Sequence, residues 1–378
     1  MSEMDLDRYN ISNLVDAAKM VPNFRINQGG SGNGSNIYLR GIGSSSISAA
    51  FDQSVAINID GVVVNRGRFI HNAYLDMSQI EVLKGPQSLY FGKSATAGVI
   101  SIKTNDPTEE FEAEFGVGVE LEHETTFFEG VLSGPISDNL LARLAFGTSE
   151  TDELRENYSY YNDPMPYGNG TQPFFGEEST NIRLTLLWTP TESITAKLKY
   201  QHSDYENDGG GTMYQEEWCA DGLGNPLAHQ TTGVPGATAA FTTRLGVDDC
   251  VINGNTSKIN LEPGLRAGLP YGYDDGKPGL NQETDMVSLE INWDINDKLA
   301  LTSITSIVEL DHDELDDYSY GAGVYGGLHK NVYEHTSQEF RLASNYEGSV
   351  NFQAGVFLQE IEPVSYTHLR AHETRGNL

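Results

Sequence analysis

The chain has 378 residues, a net charge of -31 at pH 7 and an aromatic content of 10%. That acidity excludes duplex nucleic acid as a partner, because phosphate binding depends on clustered Lys and Arg, while the length suffices for two domains or one large β architecture. No segment approaches the roughly 18 consecutive apolar residues of a transmembrane helix, which excludes a helical membrane protein but not a barrel, whose strands turn only alternate residues to lipid.

From the start of the chain, Met1–Asn10 shows neither the positive n-region nor the apolar h-region of a signal peptide. The chain is therefore expected to be cytoplasmic or to have its true beginning upstream. Residues 1–110 read as a compact α+β unit. Ser12 is placed to cap a short helix from Asn13 to Lys19, which Pro22 ends. Ile37–Leu39, Val55–Ile59, Gln79–Leu83 and Val99–Lys103 are short strand candidates. Glycines separate them, and Gly29–Gly34 reads as a flexible loop.

From Phe111 the hydrophobic period becomes two. Phe111, Ala113, Phe115, Val117, Val119 and Leu121 alternate with Glu112, Glu114, Gly116, Gly118, Glu120 and Glu122, a strand with one apolar and one polar face. The pattern recurs at Ile182–Trp188, Ile194–Tyr200, Val287–Trp293 and Val350–Leu358, with less regular strands at Thr126–Leu132, Leu140–Phe146, Leu299–Leu310 and Val332–Leu342. Short turns at Gly134–Asp138, Thr189–Glu192, Ile295–Asp297 and Asn345–Gly348 alternate with long polar segments near 150–179, 206–283 and 311–331. Short turns on one rim and long loops on the other are the pattern of an outer-membrane barrel with strands of about ten residues. A soluble sandwich would not lengthen its loops on one side alone. Trp188 and Trp293 each end an apolar face before a short turn, where an aromatic girdle belongs. The strands number about nine, whereas single-chain bacterial barrels have an even number and plugged barrels about 22, so an incomplete barrel is expected.

Within the first hundred residues, Tyr38-Leu39-Arg40-Gly41, then Ile57-Asn58-Ile59-Asp60-Gly61-Val62, then Ile80-Glu81-Val82-Leu83-Lys84-Gly85-Pro86 running on through Gly92 and Gly98 to Ile102, stand in that order. This closely resembles the plug signature of the TonB-dependent receptor family, which typically has Arg where Lys84 and Lys93 stand here. The resemblance extends over about residues 12–362. It implies an all-β transmembrane barrel with an N-terminal α+β plug domain: plug 1–110, partial barrel 111–362. It also implies a Gram-negative outer-membrane receptor that takes up a scarce solute, with a ferric siderophore as the commonest cargo. TonB, outer-membrane lipid and a small-molecule ligand would be its partners, with no resident cofactor. The TonB box and the start of the plug would then precede Met1, and more than half the barrel would follow Glu362. A secreted or surface β-rich adhesin without transport is the alternative. Plug-signature candidates are Arg40, Gly41, Asp60, Gly61, Glu81, Lys84, Gly85, Pro86, Gly92 and Gly98. Arg40 and Glu81, charges beside apolar strands, are expected either as partners of the barrel's inner wall or as solvated groups.

Outside the signature, Cys219 and Cys250 are the two cysteines and share one long polar segment. A disulfide is the expected use, with two separate thiols as the alternative. It would close about thirty residues and contribute roughly 3.5–4 kcal/mol in an oxidising compartment. Tyr158, Tyr160, Tyr161, Phe174 and Phe175 are candidates to line a ligand vestibule on the loop rim. The acidic run Asp311–Asp317 lacks the Gly and Glu of an EF-hand loop and reads as a solvated loop rather than a Ca²⁺ site. Gly92-Lys93-Ser94 lacks the upstream Gly of a phosphate loop, where Gln87 stands, and no Gly-x-Ser-x-Gly or His-Glu-x-x-His occurs, so no enzyme is expected. Residues 363–378, basic and His-rich in an acidic chain, read as a non-native tail.

Overall fold

A computed structural model describes residues 1–9, 11, 13–28, 35–44, 52–64, 66–71, 75–92, 94–121, 124–152, 176–208, 269, 276–317 and 325–371. In the N-terminal part, helices α1 (Glu3–Arg8) and α2 (Leu14–Met20) lead into an antiparallel sheet of β1 (Phe24–Gln28), β2 (Ser35–Leu39) and β3 (Ile42–Gly43). The cap of α2 is Asn13, whose side chain accepts from the Asp16 amide at 2.8 Å; Ser12, expected in that role, lies outside the described residues. A second, mixed sheet holds β4 (Val55–Ile59), β5 (Val62–Val64), β6 (Met77–Lys84) and β7 (Gly98–Thr104) in the order β5-β4-β7-β6. A 3-10 turn, Gly67–His71, and the short helix α3 (Ser88–Phe91) punctuate it. Strand β4 is buried along its whole length between β5 and its parallel partner β7, which is why it reads as a continuous apolar run.

Beyond this N-terminal part, the described residues form one nine-stranded antiparallel sheet, here called the wall. It comprises β8 (Glu112–Glu120), β9 (Thr125–Ser137), β10 (Leu140–Thr151), β11 (Glu177–Thr191), β12 (Ile194–Asp208), β13 (Gly279–Asn296), β14 (Leu299–Asp317), β15 (Tyr325–Ser344) and β16 (Gln353–Ala371), each paired with its neighbours in chain order. Every strand expected from the alternation is present. The later ones are much longer than the expected ten residues or so: β15 has 20. Two-residue turns close Ser137 to Leu140, Thr191 to Ile194 and Asn296 to Leu299. The long connections all open on the opposite rim.

One expectation is corrected by these strands. Asp311–Asp317 is not a solvated loop: it is the end of β14, with His312, Glu314 and Asp316 buried in the register that the inward-facing Ser306 begins. The backbone of β16 pairs with β15 through Pro363 as far as Ala371.

The burial of the wall is inverted relative to a soluble sheet. In β11, Ile182, Leu184 and Trp188 are exposed while Arg183 and Thr185 between them are buried; in β12, Leu198 and Tyr200 are exposed around a buried Lys199. The polar face is covered because the N-terminal part packs against it. Met286, Val308, Leu310 and Tyr333 of the wall join one hydrophobic cluster with Leu14, Ile37, Ile57, Phe69 and Ile100. Exposed apolar residues repeated on alternate positions of neighbouring strands form a lipid-facing band, and Trp188 and Trp293 sit at its short-turn edge.

Candidate functional site

The site that this arrangement builds is the contact between the N-terminal domain and the wall. Its best-defined element is the Asp60-Gly61 turn. Val62 pairs with Ile59, leaving a two-residue loop in which Asp60 (φ 49°) and Gly61 (φ 90°) both take positive φ, the geometry that favours Asp-Gly in a hairpin. Held there, the Asp60 carboxylate accepts from the Thr104 amide at 3.0 Å and its hydroxyl at 2.7 Å. It also pairs with Lys199 Nζ of the wall at 3.1 Å. A Cβ on Gly61 would stand 3.2 Å from Ile304 Cδ1, so glycine also lets the turn approach the wall.

Around that turn the wall's cations take the domain's oxygens. Lys199 donates to the Thr104 hydroxyl at 2.6 Å and lies 3.6 Å from Asp106, which pairs with Lys197 at 2.7 Å. Arg143 grips Asp76 with two parallel bonds, Nε to Oδ2 at 2.8 Å and Nη2 to Oδ1 at 2.7 Å, and reaches Glu112 at 3.1 Å. Arg183, almost fully buried, donates to the Leu75 carbonyl at 2.6 Å and to Gln201 Oε1 at 3.1 and 3.3 Å. These buried charges are tolerated because each is met by carboxylates or carbonyls; removing one partner of such a pair costs about 3–5 kcal/mol.

A second contact lies further along the strands, toward the long-connection rim. The Arg66 guanidinium stands 5.2 Å from the centre of the Tyr333 ring and pairs with Asp52 at 2.9 Å, while Phe69 meets Tyr333 edge-on at 6.0 Å. Gln282 donates to the Arg68 carbonyl at 3.3 Å and faces His312, which lies 3.6 Å from Glu314. Burial brings the Arg68 guanidinium down to about 10, against the opposing pull of Glu314 and with a further push from Arg66.

The signature residues are distributed unevenly. Asp60 and Gly61 reach the wall. Arg40 and Glu81 are exposed: Arg40-Gly41 turns β2 into β3, and Glu81 accepts from Gln79 at 2.6 Å. Lys84 ties its strand to the Pro22 carbonyl at 2.7 Å. Gly85-Pro86 leaves β6 and Gly92 caps α3. Gly98, at φ 156°, admits no side chain, since a Cβ would lie 2.3 Å from the Leu83 carbonyl oxygen and 2.6 Å from Leu39 Cδ1. Cys219, Cys250, Tyr158, Tyr160, Tyr161, Phe174 and Phe175 lie outside the described residues. The sequence reading missed Asp76, Arg143, Arg183 and Lys199. The signal was a lone cation between apolar neighbours in an alternating strand, as in Ile182-Arg183-Leu184. On the outer face, His202, Glu283 and Asp285 bring one ligand atom each within 4.8 Å of one another, but the Asp285 carboxylate is already met by Tyr200 at 2.8 Å and His202 at 3.1 Å.

Comparison with known proteins gives this geometry its relatives. Residues 1–99 match the TonB-dependent Receptor Plug Domain. The vitamin B12 transporter BtuB of Vibrio vulnificus is 23% identical over 353 residues, which cover 84% of this chain and 55% of that protein. The pesticin receptor of Yersinia pestis is 35% identical over 125 residues, covering 32% of this chain and 18% of the receptor. Among solved structures, the ferric yersiniabactin uptake receptor FyuA from Yersinia pestis superposes with a TM-score of 0.72 at 16% identity, over 98% of this chain and 49% of that one. The Pseudomonas aeruginosa ferripyoverdine receptor does so at 0.67 and 12%, over 99% and 43%. The chain thus spans about half the length, or less, of these relatives. Residues 1–99 thus match the TonB-dependent receptor plug domain, and with the nine strands the chain has the fold of a plug seated against an incomplete barrel wall.

Proposed function

We propose that the chain is part of an outer-membrane transporter of a Gram-negative bacterium that takes up a ferric siderophore, energised through TonB. The observation that supports this most is the plug seated against the polar inner face of a wall whose outer face is apolar. A passive porin needs no such plug, and a secreted adhesin needs no lipid-facing band. The yersiniabactin and pyoverdine receptors among the structural relatives favour an iron complex. A second reading, cobalamin, is favoured by the vitamin B12 transporter that aligns with 84% of the chain.

The test is uptake by the complete protein in a host lacking its own receptors, with labelled ferric siderophores and labelled cobalamin supplied separately. Siderophore uptake that stops when TonB is deleted supports the reading. Cobalamin uptake alone replaces it with the second, and no uptake of either overturns both. We further take residues 363–378 as non-native in sequence, on their composition, although the backbone of β16 continues to Ala371; re-reading the source DNA across Glu362 tests that, since an unbroken native frame would refute it.

A further inference from the structure

One histidine of the wall stands between two groups that only accept hydrogen bonds. On the lumenal face, toward the long-connection rim, Gln282 of β13 is paired in register with His312 of β14, and both are buried. The plug orients the Gln282 amide. Its Nε2 donates to the Arg68 carbonyl, which has no hydrogen to give, so its Oε1 is turned to His312 Nδ1 at 3.2 Å. An amide oxygen accepts, so Nδ1 must carry a hydrogen. The other ring nitrogen, Nε2, faces the Glu314 carboxylate at 3.6 Å, and the two side chains are only 2% and 1% exposed. A neutral ring with its hydrogen on Nδ1 would turn the Nε2 lone pair onto that carboxylate. An imidazolium turns a hydrogen to both acceptors and leaves the buried pair without net charge.

We propose that the seated plug holds His312 as an imidazolium, so that plug seating binds a proton. The coupling runs from the Arg68 carbonyl through the Gln282 amide to the His312 ring and the Glu314 carboxylate. His312 lies beyond Ile307, the last exposed large apolar residue on the outer face of β14, so water reaches this level of the lumen once the plug moves. When the plug withdraws, the carbonyl leaves, the amide is free to turn over, and the hydrated ring titrates in the ordinary histidine range, about 6.5. Seated, it keeps its proton to higher pH. This contribution to seating is therefore complete below the ordinary histidine range and is lost as pH rises through the seated value, by up to about tenfold in the seating equilibrium per pH unit. The other charged or titratable groups around the pair are Asp316 on β14, His329 of β15 opposite Glu314, and Arg68 of the plug; Asn331, opposite His312, is neutral. Among these residue types only histidine ordinarily changes charge between about pH 6 and 8. The lysines and arginine of the other plug–wall contact keep theirs, so a change of seating in that window singles out a histidine.

The inference rests on the plug-and-barrel fold and not on any cargo, so its test uses neither ligand nor TonB. Open-channel time of the complete protein is measured in planar bilayers, and in the parent it should rise at least about tenfold between about pH 6 and 8. H312Q/E314Q removes both charges while keeping polar side chains, and its leak should be equal at the two ends of that range. H329Q should keep the parent's rise. A flat parent, a rise that survives in H312Q/E314Q, or a rise lost in H329Q overturns the proposal. Nitrogen NMR of the complete protein with isotope-labelled histidine reads the charge without relying on assembly of the double variant. One histidine should show two protonated ring nitrogens at about pH 8, and the signal should persist in H329Q and H335Q; only neutral rings at that pH overturn the assignment.

Discussion

The plug and the wall use one physical rule to opposite ends. In the plug, Ile57, Ile100 and Leu39 point inward and are fully buried, as in a water-soluble domain. In the wall, Leu184, Trp188, Leu198 and Trp293 point outward and Arg183, Lys199 and Ser306 point inward. The difference lies in what covers each face. Lipid cannot satisfy a guanidinium, so the wall sends its polar groups to the plug, and the plug supplies the carboxylates and carbonyls that receive them. Each region is therefore incomplete without the other at the row containing Arg143 and Lys199.

Several substitutions would break this contrast, and the largest effect is expected where the two regions meet. Lys199→Met leaves Asp60 without its wall partner and should destabilise plug seating by about 3–5 kcal/mol, read as a lowered denaturant midpoint for plug protection in hydrogen exchange while the wall strands keep theirs. Within the plug, Ile57→Ala opens a cavity in a fully packed strand and should cost about 2–5 kcal/mol in the same measurement. In the wall the chemistry differs: Leu184→Ala should cost only the lost transfer from water to lipid, about 1–2 kcal/mol with no cavity term, whereas Leu184→Arg should cost roughly 2–4 kcal/mol in refolding into lipid vesicles. If L184A proved as costly as I57A, the lipid-facing assignment of that side of β11 would be wrong. Gly61→Ala forces a side chain into positive φ against Ile304 and should cost about 1–2 kcal/mol.

The smallest effect concerns the N-terminal cap of the plug. Hydrogen bonds from the Ser2 amide and hydroxyl hold the Asp5 carboxyl below its ordinary range. A lowered folded value stabilises the cap above the unfolded value and is lost as pH falls through the folded one. Amide exchange in α1 should therefore quicken in acid, and an Asp5→Asn variant should lack that pH dependence.

Much of this was legible in the sequence because it is periodic or local. The alternation from Phe111 onward located all nine wall strands, since a two-residue period survives whichever side faces lipid. The turn residues Asp60-Gly61 and Gly98 announced backbone geometry that few other residues adopt. Strands β3 and β5 were missed because two or three residues, as in Ile42–Gly43, are too few to show a period, and β1, Phe24-Arg25-Ile26-Asn27-Gln28, has only two apolar residues to mark it. Asp311–Asp317 was misread because acidic composition suggests solvent, and only pairing with β13 and β15 revealed that alternate members face the lumen. Arg40 and Glu81, conspicuous in the sequence, are exposed, whereas Asp76 and Lys199, inconspicuous, each pair across the interface, with Arg143 and Asp60 respectively.

By itself the sequence determined the local order: where strands run, where they turn, which residues share a face, and that the first hundred residues carry a plug signature. Periodicity and turn chemistry act between near neighbours, so a linear reading recovers them. Which cation meets which carboxylate was decided by tertiary structure alone. Lys199 and Thr104, or Arg143 and Asp76, come together only when sheet register and plug seating are both fixed, and nothing in either stretch of sequence encodes the other's position.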